Sequence, residues 1–294
     1  MKINNSHLHG FTLIELIMVI TLTGIVSVFI STITANQMQT YIDVSVRTNL
    51  VTLAESSFRR ISRDVHNAAP NSVRVSGTAL EFVPIVSAGR YRSQPSELSN
   101  SNHLDFSTAD TAFQVLGNFQ QPPSGSQIVI YNFGWLDGSG PVAGANLYAS
   151  PSTGVLSPVG SHVISPLGNN ITVTNDGLND LISFDSGVQF SFSSPNKRFY
   201  VVNGAASYLC NSTAGEIKRY SGYAIQSSQP VNASSAPLSS ASSSALLLDH
   251  VESCTFNYSS DATQRFGIVT IELTLFDKGE RIRLIHQIQV NNHV

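Results

Sequence analysis

A single carboxylate, Glu15, stands one helical turn after Phe11, at the start of an apolar stretch where a membrane ordinarily admits no charge. From Leu16 to Ile42 no Asp, Glu, Lys or Arg occurs. Residues 16–33 are almost wholly apolar, long enough to cross a hydrocarbon core as a helix. An ionised carboxylate inside such a helix costs roughly 2.5 to 3.5 kcal/mol on insertion scales, so it calls for a cation at its own depth. Cleavage between Gly10 and Phe11 would create one, because the new α-amino group of Phe11 would lie about one turn from Glu15. That amine can meet the Glu15 of its own chain. It can also meet the Glu15 of a neighbouring helix displaced along its axis, and this second arrangement is a means of assembly.

The remaining chemistry-bearing residues are sparse. Cys210 and Cys254 are the two cysteines and form no C-x-x-C motif. They are expected to form a structural disulfide in an oxidising compartment, the alternative being two buried free thiols. The eight histidines are scattered, and no Walker loop, H-E-x-x-H pair, G-x-S-x-G elbow or G-x-G-x-x-G fingerprint occurs. No catalytic residue, cofactor-binding residue or metal ligand is therefore assigned, and the chain is expected to be non-enzymatic with no cofactor. Asp137-Gly138-Ser139-Gly140 and Asp176-Gly177-Leu178-Asn179-Asp180 are oxygen-rich, yet neither has calcium-loop spacing, and both are better explained as turns. A formal net charge of −3 argues against nucleic acid as a partner.

These residues need positioning elements. After the apolar run, Val46, Leu50, Leu53, Ser57, Ile61 and Val65 recur at spacings of three or four, predicting that the helix continues as an amphipathic spine. Pro70 ends it. Arg59, Arg60 and Arg63 lie between the apolar positions and are expected on a solvated face, the alternatives being a neighbouring subunit or lipid head groups. Beyond Pro70 the pattern turns to period two, predicting strands over 72–75, 79–83, 127–133, 170–174, 189–192 and 198–202. The clearest hairpin is the last, where Val269, Ile271, Leu273 and Leu275 alternate with polar residues. Asp277-Lys278-Gly279-Glu280 then turns the chain into Ile282, Leu284, His286, Ile288 and Val290. His286 is expected to be a hydrogen-bonded core residue. Residues 226–244 are dominated by Ser, Ala and Pro and read as a mobile loop, while 245–251 form a short helix or strand.

The expected fold class is α+β, with a long amino-terminal helix and a large antiparallel β-rich head. The expected divisions are a leader over 1–10, a helix over 11–69 and the head over 70–294 with its Ser-rich loop at 226–244. The helix would be transmembrane to about residue 35 and amphipathic from 36 to 69.

Gly10-Phe11-Thr12-Leu13-Ile14-Glu15 and the apolar run behind it resemble the class III signal of type IV prepilins and type II secretion pseudopilins. The resemblance implies cleavage by a prepilin peptidase after Gly10, N-methylation of Phe11 to N-methylphenylalanine, and retention of Glu15 for charge pairing during assembly. Arg59-Arg60-Ile61-Ser62-Arg63-Asp64-Val65 with Pro70-Asn71-Ser72-Val73-Arg74-Val75, Tyr208-Leu209-Cys210, Arg219-Tyr220-Ser221-Gly222-Tyr223, Cys254-Thr255-Phe256-Asn257-Tyr258 and the final hairpin are similar to MshO-type minor pilins of the mannose-sensitive haemagglutinin (MSHA) system. That implies a low-abundance subunit acting in pilus assembly or initiation, and a head too large for a repeating shaft leads to an expected position near the filament tip. It also implies a bacterial inner-membrane protein with one span and a periplasmic head, later placed in a surface pilus. The implied partners are other major and minor pilins, the prepilin peptidase, the inner-membrane assembly machinery and, before assembly, membrane lipid. A tip adhesin and a J-type secretion pseudopilin are the competing readings. For the leader itself the alternatives are an ordinary secretory signal peptide and an uncleaved anchor with Glu15 at the membrane edge.

Overall fold

The computed structural model describes residues 10–94, 102–138, 140–149, 162–175, 179–260 and 266–292. The leader before Gly10, Ser139 and Asp176-Gly177-Leu178 lie outside the described residues. Helix α1 (Leu13–His66) leads into β1 (Arg74–Ser76), β2 (Ala79–Phe82), β3 (Ile85–Arg90), β4 (Asp110–Val115) and β5 (Gln127–Val129). A small hairpin, β6 (Leu136–Asp137) and β7 (Gly140–Pro141), precedes a 3-10 turn at Leu147–Ala149, β8 (Ile171–Asn175) and β9 (Asp180–Val188). Strands β10 (Arg198–Val202), β11 (Ala205–Asn211) and β12 (Glu216–Tyr223) follow, then a 3-10 turn at Leu238–Ser240 and β13 (Ser243–Leu248). The last three are β14 (Val251–Ser260), β15 (Phe266–Asp277) and β16 (Glu280–Asn291). One long apolar helix carrying a large antiparallel β body is the α+β architecture expected.

The 54 residues of α1 are one continuous helix, about 80 Å long. Thr12, rather than Phe11, starts it, because the Thr12 hydroxyl accepts from the Glu15 amide at 3.3 Å and caps the first turn. Through the apolar half, the hydroxyls of Thr21, Thr23, Ser27, Thr32 and Thr34 donate to carbonyls one turn back at 2.6–3.2 Å. Their polarity is thereby met within the helix, as a lipid environment demands. In the second half Leu50, Ala54, Ser57, Phe58, Ile61 and Val65 are buried. This is the expected stripe, widened by Ala54 and Phe58, with Val46 and Leu53 half-buried at its border. The helix stops short of the predicted residue 69, since Asn67 caps it with its amide on Arg63 O and Ala68 forms a bridge to Pro84.

A five-stranded antiparallel sheet, β1-β2-β11-β12-β13, forms the middle of the head. Leu80, Phe82, Ala206, Tyr208 and Ile217 face the helix, and Ala79, Ala205, Leu209 and Tyr223 face a second core. Two-sided burial explains why β11 is buried at all but its last residue and shows no alternation. The terminal sheet, β14-β15-β16, packs Val269, Ile271, Leu273, Leu275, Ile288 and Val290 on the same helix stripe. Its hairpin turns at Lys278-Gly279, both with positive φ (47° and 90°), between the paired Asp277 and Glu280, the geometry a two-residue hairpin requires. The Cys210–Cys254 disulfide joins β11 to β14 and so ties the two sheets together. Beyond them, β3-β10-β5 and β4-β9-β8 enclose an aromatic core of Tyr91, Phe113, Phe184, Phe190 and Phe199.

Three expectations are corrected. Residues 189–192 are not a strand, because β9 ends at Val188 and Phe190 makes only an isolated bridge to His162. The run over 127–133 stops as a strand at Val129, and Tyr131 takes φ 50°, which breaks the extended backbone. The Ser-rich segment is docked rather than free. The Arg74 guanidinium donates to the carbonyls of Gln226 and Ser227 at 2.8 and 2.6 Å, Gln229 Nε2 donates to Ala79 O at 3.0 Å, and Leu238 enters the second core. Residues 245–248 belong to β13 and Val251 opens β14, so the choice between helix and strand resolves to strand.

Closing a loop of 44 residues with the Cys210–Cys254 bond stabilises the head by about 4 kcal/mol in the chain-entropy model. The double replacement Cys210→Ser, Cys254→Ser should lower the unfolding free energy of the detergent-solubilised chain by about that amount, read from denaturant melts. An unchanged midpoint would show that the bond does not constrain the unfolded chain.

Candidate assembly site

Gly10, Phe11 and Glu15 lie together at the free end of α1, while Cys210 and Cys254 lie in the head. About 50 Å of helix separates Glu15 from Leu50, where burial of α1 begins. Phe11 is 82% exposed, and Leu13, Ile14, Leu16 and Ile17 are exposed with it. The backbone of Gly10 and Phe11 lies outside the helix, so the peptide bond between them is unencumbered by helical hydrogen bonding. Glu15 is in the first turn, where the unpaired amides of a helix start favour negative charge. Thr12-Leu13-Ile14-Glu15 has the spacing of a capping box, a signal that sequence reasoning passed over.

At the other end of α1 a second group of residues fixes the head to the helix. Asp64 accepts from Tyr208 Oη at 2.7 Å and Arg219 Nε at 2.7 Å, and Arg60 approaches it at 3.5 Å. Burial, with Asp64 adding to it, pushes the Tyr208 phenol well above its ordinary range, so it stays a neutral donor. His286 stacks on Phe58 with centroids 4.8 Å apart and hydrogen-bonds Ser62 Oγ at 3.1 Å. The histidine is half-buried and hydrogen-bonded, against the helix. Lower down, Arg47 pairs with Glu280 beside the terminal hairpin turn. Apart from the Arg60–Asp64 pair, these contacts join residues more than 100 positions apart, so no local motif announces them. Arg59, Arg60 and Arg63 are exposed, with Arg59 paired to Glu55 at 3.2 Å, consistent with a solvated face.

Among the described residues no group of three His, Cys, Asp or Glu side chains is placed to hold a metal. The helix is long and apolar enough to cross a membrane. Residues 6–31 match the model of the prokaryotic N-terminal methylation motif.

The chain carries a type IV pilin-like prepilin signal.

No curated protein and no solved structure gives a significant match to the chain. The prepilin signal implies processing by a prepilin peptidase and assembly with other pilins, and it favours a structural subunit over an enzyme. Together with the apolar helix, it fits a membrane-anchored protein of the pilin or pseudopilin kind.

Burial lowers the His286 pKa. Above the unfolded value near 6.5 both states are neutral there; as pH falls through it, the unfolded chain takes the proton first and stability is lost. The melting temperature should therefore fall between pH 7.5 and 5.5, and His286→Phe should reduce that fall. An identical pH dependence in the variant would exclude His286 as its source.

Proposed function

We propose that the protein is a minor pilin of a type IV pilus of the MSHA kind, a non-enzymatic subunit acting in assembly or initiation near the filament tip. The observation that carries this reading is the methylation motif over 6–31 at the exposed start of a helix whose far half is buried in a large head. Cleavage falls between Gly10 and Phe11, Phe11 is N-methylated, and Glu15 pairs with the amine of a neighbouring subunit. From Leu16 to Ile33 the helix exposes apolar side chains around its circumference. Such a helix suits lipid before assembly and a bundle of like helices after it, so transfer between them keeps it out of water. A head spanning residues 70–294 is bulky for a shaft whose repeats must pack closely, which supports a terminal position.

Mass spectrometry of the native amino terminus should find Phe11 first and carrying one methyl group. Met1 still attached in assembled filaments would reject the processing step. Glu15→Val should leave cleavage intact and reduce the amount recovered in sheared filaments by about tenfold or more, the equivalent of about 1.4 kcal/mol. Normal incorporation of the variant would remove the charge-pairing argument.

A further inference from the structure

The second core contains an ionisable carboxyl with no access to water. Leu80 and Phe82 of β2 face the helix, so Glu81 between them turns the other way, to the side of Ala79, Val83, Tyr148 and Tyr223. It is fully buried, where an isolated carboxylate would be costly. Two donors answer it: Arg74 Nε of β1 at 2.5 Å and Tyr223 Oη of β12 at 3.0 Å. The Arg74 guanidinium also lies 3.6 Å over the Tyr148 ring, whose hydroxyl donates to Ser72 O at 2.6 Å. Tyr223 has a second partner in Ser207 Oγ of β11. Burial raises both phenols, which stay neutral. Among the described residues, Arg74, Tyr148 and Tyr223 are thus the charged and titratable groups facing Glu81, and Glu81 is the member of this set that changes charge between acid and neutral pH.

The other two nitrogens of Arg74, Nη1 and Nη2, donate to Ser227 O and Gln226 O. One guanidinium therefore joins the buried carboxylate to the first residues of the Ser-rich segment. Gln229 adds a contact from Nε2 to Ala79 O, and Leu238 anchors the far end in the second core. Between these fastenings the segment stands off the sheet. A cavity of about 380 Å³ separates Val231 and Asn232 from Leu209, Lys218 and Tyr220. The segment is fastened at points rather than packed along its length, and its first fastening depends on a pair of charges.

We propose that Arg74 and Glu81 form an acid-released clasp: while Glu81 is ionised the start of the Ser-rich segment is held on the sheet, and when Glu81 takes a proton Arg74 turns to water and residues 226–229 lift away. Burial raises the Glu81 pKa, and Arg74 opposes that rise by its charge and its hydrogen bond. With Arg74 turned away and Tyr223 still covering the carboxyl, burial acts with less opposition, so the open clasp binds the proton more tightly than the closed one. Falling pH therefore favours opening. Arg74 is already 19% exposed, so its guanidinium has a short path to water, where it keeps its charge. Opening uncovers the Tyr148 ring and the cavity above Leu209 and Tyr220. The clasp is a property of the single chain and does not depend on the pilus assignment.

Hydroxyl-radical footprinting of the detergent-solubilised full chain reads the clasp through Tyr148, which the Arg74 guanidinium covers. Oxidation of Tyr148, measured against Tyr91 in the aromatic core, should rise at least about threefold from about pH 7.5 to about pH 5, as a local opening exposes the ring. Glu81→Gln, uncharged at every pH, should show the open level at both values. Arg74→Lys keeps the charge but cannot reach the carboxylate and both carbonyls at once; its Tyr148 oxidation should already be raised at the higher pH, and it serves if Glu81→Gln fails to fold. Equal oxidation of Tyr148 at the two pH values in the unsubstituted chain would overturn the inference. So would an undiminished rise in Glu81→Gln, which would assign the response to another group such as His286, or an Arg74→Lys profile identical to that of the unsubstituted chain.

Discussion

One continuous helix has to satisfy two solvents. Its first half is dominated by exposed apolar side chains and bonds the hydroxyls of Thr23, Ser27 and Thr34 to its own carbonyls, as residence among hydrocarbon requires. Its second half is one-sided, with Leu50, Phe58, Ile61 and Val65 against the sheets and Glu55, Arg59 and Arg63 in water. No break in α1 separates these regimes. A displacement imposed on the amino-terminal end is therefore transmitted along the rod to the head, because a helix resists bending where its hydrogen-bond ladder is unbroken.

The head holds that rod through polar contacts at fixed heights as well as through its apolar stripe. Apolar packing alone is tolerant of sliding, since shape and volume set it more than direction. Asp64 with Tyr208 and Arg219, Ser62 with His286, and Arg47 with Glu280 are directional and pin the register of helix against sheet. The buried Arg74–Glu81 pair does the same for the Ser-rich segment. Burial raises the Glu81 carboxyl's pKa while Arg74 and Tyr223 oppose that rise, so the pair is better understood as setting geometry than as a source of stability.

The elements most legible from sequence were those whose cause is local. Pro70, the apolar run and the three-and-four spacing of Leu50, Ile61 and Val65 are sufficient for the helix, and the alternation either side of Lys278-Gly279 is sufficient for β15 and β16. Strands buried on both faces, such as β11, have no alternation to read. Residues 189–192 carry the strand pattern without the strand, because no neighbour pairs with them beyond one bridge at Phe190. The docking of the Ser-rich segment depends on Arg74, about 150 residues away in sequence, and composition cannot report that. At the amino terminus the candidate site is contiguous, so its members were visible together; the helix–head lock is assembled by the fold, and its residues looked like ordinary surface charge.

The same division bears on how a subunit of this design leaves a membrane. A helix fully coated with apolar side chains has little preference between lipid and a bundle of like helices, because both offer similar surroundings. Directionality must then come from the few polar groups at its ends. Glu15, in the first turn and following the Thr12 cap, is the one acidic group between Phe11 and Ile42. Hydrocarbon penalises it, whereas a bundle that supplies an ammonium group at the same depth does not. In the proposed assembly, the apolar run would make transfer permissible, and pairing of the carboxylate would make it favourable in one direction and in one register.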